Sequence, residues 1–350
     1  MKSRVTLKTM AQELGVSIST VSKALHNHKD ISLENRQRIQ NFARALNYQP
    51  NSVALNLKNQ HTRKIGIIIP EIVHYFFAEV IAGAEEVAQE NGYQILIGVS
   101  NESVIREAFN LDMMLSSGVD GFLISLSKET FRNRERAHID NLLQEGVPLV
   151  MFDRVMEQLM CHQVVIDDFE SGYETASFLI GRGCTKIMVI GTEDYLRIGQ
   201  LRSEGAERAI REAGLDWNSE LFLPLDYKEG LLENSKSMAE EINSVFEKFP
   251  DIDGVFCVNE VAAVTAMNIA RERGYAIPGD IQIVGFSNGI LSKLSHPQLT
   301  TVDQHGKELG MRSASVLIDQ LKSQAKPETY QKVVLPTTIL ERGTTLRLSD

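Results

Sequence analysis

Cysteine is scarce in this 350-residue chain, and the three present, Cys161, Cys184 and Cys257, are widely spaced and odd in number. With no CxxC pair and no Cys/His cluster, neither a disulfide framework nor a zinc site is supported. Long apolar runs are missing too: those such as Ile65–Pro70 fall far short of the roughly 20 residues that span a bilayer. The opening residues MKSRVTLKTMAQ hold no apolar signal core. Secretion and membrane anchoring are therefore not expected, and a cytoplasmic location is. No GxGxxG, P-loop, GxSxG or HExxH occurs, and the eight histidines show no metal-ligand spacing. The expectation is a protein that is not an enzyme and needs neither cofactor nor metal.

Acidic charge is scarce at one end only. Residues 1–63 carry ten Lys/Arg against three Asp/Glu, a balance of +7, whereas the remainder carries 26 basic against 43 acidic residues, a balance of −17. A short basic head on an acidic body points to a polyanion partner for the head, and its bland alternative is a solvated basic arm. The pattern within the head decides against an arm. Leu7, Met10, Ala11 and Leu14 share one helical face behind Thr6 as a cap. Ser17 can cap a second helix carrying Val21, Ala24 and Leu25. Ser32 can cap a third with Ile39, Phe42, Ala43 and Leu46 on its apolar face, and Pro50 stops it. Residues 51–58 read as one more short helix and 59–63 as a polar linker.

From Lys64 onward short apolar runs alternate with helical stretches and glycines. The runs are Ile65–Ile69, Gln94–Val99, Gly121–Ser125, Pro148–Phe152, Lys186–Ile190, Gly254–Val258 and Gln282–Phe286, and Gly92, Gly118, Gly146, Gly183, Gly214 and Gly274 end helices. This rhythm predicts parallel sheets flanked by helices. Residues 64–99 and 186–225 repeat one strand–helix–Gly–strand plan, so two similar α/β lobes with a cleft between them are expected.

The segment from Ala11 to Leu25 reads as helix, glycine turn, helix. Gly15 permits the tight turn, and Val16, Val21 and Leu25 face inward, which leaves Ile18, Ser19, Ser22 and Lys23 outward. In a helix-turn-helix that outward face enters the DNA major groove, while Ser17 and Thr20 suit phosphate contact. GVSISTVSKALH followed by SLENRQRIQNFARALNYQPNSVALNLK resembles the head of the lactose/galactose repressor (LacI/GalR) family of transcriptional regulators, and the likeness runs through essentially the whole chain. The resemblance implies base reading by Ile18, Ser19 and Lys23 and phosphate contact by Thr6, Ser17, Thr20 and Ser22. It makes Asn51–Leu57 a hinge helix ordered on operator DNA. Leu57 would be its minor-groove wedge, and Val53 and Ala54 the contact between paired hinges. Leu55 and Asn56 depart from the basic or polar pair usual in the family.

The same resemblance implies a periplasmic-binding-protein-like body. Its domains would be a head over 1–49, a hinge and linker over 50–63, an effector-binding and dimerisation domain over 64–342, and a tail over 343–350. The N-lobe would span about 64–164 and 295–327, and the C-lobe about 165–293 and 328–342, including one final strand from Lys332 to Leu340. His-Tyr-Phe-Phe at 74–77 stands where the family often has Asn-Pro-Phe-Phe, with Phe76 and Phe77 open either to stacking on a flat ligand face or to a place in the core. Asp153-Arg154 ends a strand as the family's Asp-Arg does, and Asp167 follows another. Arg202, in Arg-Ser-Glu-Gly, matches the family's ligand-anchoring arginine, whose fork suits carboxylates or vicinal hydroxyls. Ser127, Phe256, Asn259, Ser287 and Gln304 complete the implied ligand set. Two departures bear on the ligand: Asn259-Glu260 replaces Asn-Asp, and Gly285-Phe286-Ser287 replaces a glycine–aromatic–aspartate. Serine is neutral and shorter than aspartate, which opens the cleft to an acidic or phosphorylated sugar or an oligosaccharide.

The reading that results is a homodimeric transcriptional regulator, in the role of repressor, bound to near-palindromic double-stranded operator DNA and controlled by a small molecule, a sugar or sugar derivative. Its rivals are a regulator that answers to a nucleobase or a protein, and a solute-binding protein. No heptad-patterned tail follows Leu340, so a tail-made tetramer is not expected.

Overall fold

The computed structural model describes residues 5–46, 48, 61–192, 197–225, 235–323 and 327–345. The chain divides into two compact units, Met1–Thr62 and Arg63–Asp350.

Among the described residues the small unit holds three helices, α1 (Leu7–Leu14), α2 (Ile18–Leu25) and α3 (Leu33–Ala45). Each starts where a hydroxyl replaces a missing helical acceptor. Thr6, Ser17 and Ser32 accept hydrogen bonds from the backbone N–H groups of Thr9, Thr20 and Asn35 at 3.2, 3.1 and 3.4 Å. Gly15 ends α1 at φ +66°, a conformation a side chain resists. Met10, Ala11, Leu14, Val21, Ala24, Ile39 and Ala43 form the core, and a cluster this small stands because all three helices contribute to it.

The large unit holds two six-stranded sheets. The first has the order β11-β5-β4-β3-β1-β2, with β1 (Lys64–Ile69), β2 (Gln94–Val99), β3 (Gly121–Ile124), β4 (Leu149–Phe152), β5 (His162–Ile166) and β11 (Lys332–Leu335), all pairs parallel. The second has the order β12-β10-β9-β8-β6-β7, with β6 (Ile187–Thr192), β7 (Phe222–Leu225), β8 (Gly254–Cys257), β9 (Gln282–Phe286), β10 (Thr300–Asp303) and β12 (Thr338–Leu340). It is parallel except for the antiparallel β10–β12 pair. The two sheets therefore wind in one order, as the repeated plan predicts. Strands buried on both faces, such as Ile65–Ile69, read as unbroken apolar runs because helices cover both sides.

In each lobe one helix pair packs with backbones nearly touching. In the N-lobe α4 (Tyr75–Glu90) meets α13 (Gly306–Ser323), and a Cβ on Gly83 or Gly310 would collide with the carbonyl of Lys307 or Val80. In the C-lobe α8 (Asp168–Gly181) meets α9 (Arg197–Glu212), where Gly172 and Gly205 face the carbonyls of Arg202 and Phe169 in the same way. The six helix-ending glycines after Lys64 all have φ between 73° and 90°.

The chain changes lobe at other places than expected. Thr300–Asp303 belongs to the C-lobe sheet, and the return to the N-lobe begins only with α13. The expected single strand Lys332–Leu340 is two: Lys332–Leu335 pairs with β5 in the N-lobe, and Thr338–Leu340 pairs with β10 in the C-lobe. Pro336 between them has no N–H to offer a ladder, and the chain changes sheets there.

Candidate functional site

The exposed face of α2 is the first candidate. Val21 and Ala24 are fully buried, and Ile18, Ser19 and Lys23 are exposed on the opposite side, Ile18 by 48%. Ser22 is half-buried, less outward than its spacing predicts. Ser17 Oγ lies 2.9 Å from Ser19 Oγ and 2.8 Å from Thr20 Oγ1, so hydroxyls cluster where the N-terminus of α2 presents free N–H groups. Thr6 caps α1 and is exposed. Lys23 Nζ donates to Asp30 Oδ2 at 2.9 Å. Asn51, Val53, Ala54 and Leu57 lie outside the described residues.

The second candidate is a cleft in the large unit, about 750 Å³ counting its part open to solvent. Its walls come from the carboxyl ends of strands, where parallel sheets bind ligands. Glu71, His74, Phe76 and Phe77 follow β1, Glu102 follows β2, Lys128 follows β3, and Asp153 and Arg154 follow β4. From the other lobe, Thr192 ends β6 and leads to Ile198, Gly199 and Arg202 on α9. Val258 and Asn259 follow β8, Ser287 follows β9 and Gln304 follows β10.

The N-lobe wall is charged. Arg154 Nη1 donates to both carboxylate oxygens of Glu102, at 2.8 and 2.9 Å, while its buried Nε has no hydrogen-bond partner among the described residues and lies 4.0 Å from Asp153 Oδ2. Burial works to raise the pKa of Glu102, yet Arg154 and then Lys128 bring it below the ordinary value. Glu71 is pushed up by burial and by Glu102. Asp153, at φ +58°, accepts from Ser125 Oγ at 3.2 Å, and burial pushes it up against the pull of Arg154 and Arg202. Burial, then Arg154, lowers His74 to about 4, so its imidazole is neutral at physiological pH.

The C-lobe wall is neutral or neutralised. Arg202 is anchored within the protein: its Nε donates to Asp168 Oδ1 at 2.8 Å, its Nη2 lies 2.8 Å from the same oxygen, and Nη1 donates to the Val258 carbonyl at 3.1 Å. Its guanidinium lies 3.8 Å from the centroid of the Phe286 ring. The fork expected to be open to a ligand is thus largely engaged. Burial pushes Asp168 up to about 6 even against Arg202. Ser287 Oγ donates to Gln304 Oε1 at 2.9 Å. Glu260, the departure from the family's aspartate, is turned away from the cleft: its Oε2 accepts from the N–H and hydroxyl of Ser292, at 3.2 and 3.0 Å.

Of the expected ligand residues, Phe76, Phe77, Asp153, Arg202, Asn259, Ser287 and Gln304 line the cleft. Three stand elsewhere. Asp167 is exposed and caps α8 by accepting from Glu170 N–H at 2.9 Å, and its neighbour Asp168 reaches Arg202 instead. Ser127 is fully buried as the cap of α6 (Lys128–Arg132), with Lys128 beyond it on the wall. Phe256 is fully buried in the core on one face of the sheet, its ring centroid 6.5 Å from that of Phe286. His74 and Arg154 line the cleft as well, beside the expected Phe76, Phe77 and Asp153; Glu71, Glu102, Lys128 and Thr192 were not expected there, and taking the residues at and just past each strand end would have found them.

Residues 6–51 match the family described as bacterial regulatory proteins, lacI family, and residues 176–345 match a periplasmic binding protein-like domain. The chain is 30% identical over 349 residues to the HTH-type transcriptional regulator DegA of Bacillus subtilis (strain 168), covering 99% of each. It resembles the lac repressor dimer bound to operator and the anti-inducer ONPF, with a TM-score of 0.83 at 21% identity, covering 99% of this chain and 100% of that one. It also resembles a LacI family transcriptional regulator from Enterococcus faecium with bound ribose, with a TM-score of 0.68 at 25% identity, covering 82% and 100%.

Proposed function

Since the chain belongs to the lacI family of bacterial regulatory proteins, we propose that it is a cytoplasmic homodimeric repressor whose operator affinity is set by a neutral sugar held in the cleft between its two lobes. The observation that carries the effector class is the charge balance of that cleft. Lys128, Arg154 and Arg202 face Glu71, Glu102 and Asp153, with Asp168 behind Arg202, so carboxylates outnumber cations. An acidic or phosphorylated sugar would need surplus positive charge. Hydroxyls of a neutral sugar instead suit unshared carboxylate oxygens and the amides of Asn259 and Gln304. The ribose bound to the Enterococcus faecium protein agrees with this class.

In this reading the outward face of α2, with Ile18, Ser19 and Lys23, meets base edges, and Thr6, Ser17, Thr20 and Ser22 meet phosphates. The hinge Asn51–Leu57, with Val53 and Ala54 paired and Leu57 as wedge, couples head to body. DNA and effector then each favour one arrangement of the dimer. The dimer face is carried by α5 (Val104–Ser116). Ile105, Phe109 and Met113 form an exposed apolar stripe there, beside exposed Ile97 on the edge strand β2.

The test is a thermal-shift screen of the full chain against neutral sugars, sugar acids, sugar phosphates and nucleosides. A ligand at 100 times its Kd stabilises by about 2.7 kcal/mol. The expected outcome is a higher melting temperature with a neutral sugar, and a changed affinity for selected operator DNA with the same compound. Stabilisation by acids or phosphates alone would refute the charge argument, and by nucleosides alone would move the effector to the nucleobase class.

A further inference from the structure

Residues 1–63 contain only three acids, and one of them stands beside the candidate reading face. Asp30 lies between α2 and α3, and its Oδ2 accepts from Lys23 Nζ at 2.9 Å. The same oxygen lies 3.3 Å from His28 Nδ1. The turn that carries Asp30 is braced, since Arg36 Nη2 donates from α3 to the carbonyls of His28 and Ile31, both at 3.0 Å. Lys23 and Asp30 are both well exposed, 46% and 58% for their side chains. An ion pair so open to water contributes little to folding. Against a polyanion, moreover, an acid at this position is electrostatically costly.

A lysine on a helix surface otherwise sweeps its ammonium through many rotamers, and fixing it at a base edge costs that freedom. A carboxylate on a braced turn fixes the ammonium beforehand and leaves two of its three N–H donors unused. We propose that Asp30 is a positioning residue for Lys23, holding its ammonium over the outward face of α2 so that it reads one base pair in each half-site. The inference rests on the reading of Lys23 as a base contact.

The experiment is selection of the full-length chain on a pool of duplexes with a randomised core, for wild type, Lys23→Ala, Asp30→Asn and the double variant, with affinities measured on the selected and on an unselected duplex. Lys23→Ala should flatten the preference at one base pair per half-site. Asp30→Asn should flatten the preference at that same pair by about five-fold, the low end of what one base contact is worth, while binding unselected duplex more tightly because a like charge is gone. The double variant should be no flatter than Lys23→Ala alone. If Asp30→Asn tightens every duplex equally and keeps the wild-type preference, Asp30 is a repulsive charge only and the proposal is overturned. If it flattens all positions together, the defect is one of head folding, and the proposal fails in that case too. Full retention of preference by Lys23→Ala would instead remove Lys23 as a reader and take the proposal with it.

Discussion

The two lobes share one strand order and one kind of glycine-mediated helix crossing, yet their walls on the cleft differ. The N-lobe contributes Glu71, Glu102, Lys128, Asp153 and Arg154, whereas the C-lobe contributes hydroxyls and amides around an arginine already neutralised by Asp168. Fold repetition thus fixes where side chains emerge, at strand carboxyl ends, and leaves their chemistry free to diverge. A ligand between such walls is oriented: groups that want charge-assisted hydrogen bonds turn to the N-lobe, and those content with neutral partners turn to the C-lobe.

The largest test of that contrast removes the arginine from each wall. Arg202 and Asp168 are buried deeper, with 6% of each side chain exposed, than Arg154 and Glu102, at 13% and 14%. Breaking a buried pair by removing one partner costs about 3–5 kcal/mol. Arg202→Ala should therefore lose about 3 kcal/mol at neutral pH and Arg154→Ala less, measured as denaturant midpoints. The Arg202→Ala deficit should shrink toward pH 5, where Asp168 takes up a proton. An equal and pH-independent loss would mean that the two walls are electrostatically alike.

Next come the helix crossings. Gly83→Ala and Gly172→Ala each force a methyl group against a backbone carbonyl, that of Lys307 and that of Arg202. Overpacking of this kind costs about 1–3 kcal/mol, and similar losses are expected for both. Only Gly172→Ala displaces the backbone of a cleft residue, so it alone should also weaken sugar binding in calorimetry. Equal weakening by Gly83→Ala would show that the crossing does not position Arg202.

Much of this is legible in the sequence. The caps Thr6, Ser17 and Ser32, the turn at Gly15 and the buried Val21 and Ala24 follow from spacing alone, because a short head must obey local rules closely. The apolar runs mark most strands. They fail for Thr300–Asp303, where Val302 stands alone among polar residues although Thr300 and Thr301 are fully buried, and for the split of 332–340, where partner choice is a long-range matter. The cleft was legible where a residue's backbone position decides its role, as for Asp153 and Ser287. It was illegible where a neighbour's hydrogen bond does, as when Asp167 caps a helix and leaves Arg202 to Asp168.

The pH dependence sharpens the contrast further, because the two carboxylates paired with arginine shift in opposite directions. Asp168 has a folded pKa raised from 3.8 to about 6, so the folded state holds the proton more tightly than the unfolded chain. Stability then falls as pH rises between those values. Glu102 has a folded pKa below 4.5, so its contribution is present above 4.5 and is lost as pH falls through the folded value. Denaturant midpoints from about pH 2 to 7 should show a flatter decline between about pH 4 and 6 for Asp168→Asn than for wild type, and a weaker loss below 4.5 for Glu102→Gln. Identical profiles for both variants would contradict the opposed shifts.

The smallest effect is expected at Thr192, on the neutral wall. The residue lines the cleft, and its Oγ1, buried just beneath that wall where Gly199 has no side chain, has no hydrogen-bond partner among the described residues. A buried hydroxyl without a partner costs free energy in the empty cleft and recovers it only if a ligand supplies the missing bond. Thr192→Val keeps the shape and deletes the hydroxyl. The ligand-free protein should then be as stable as wild type or a few tenths of a kcal/mol more stable. Affinity for the sugar should fall by about 1 kcal/mol, the worth of one neutral hydrogen bond. Melting curves without ligand and calorimetry with it separate the two effects. A destabilised variant with unchanged sugar affinity would place the Thr192 hydroxyl in the protein's own hydrogen bonding, and the C-lobe wall would then offer the ligand only its amides and Ser287.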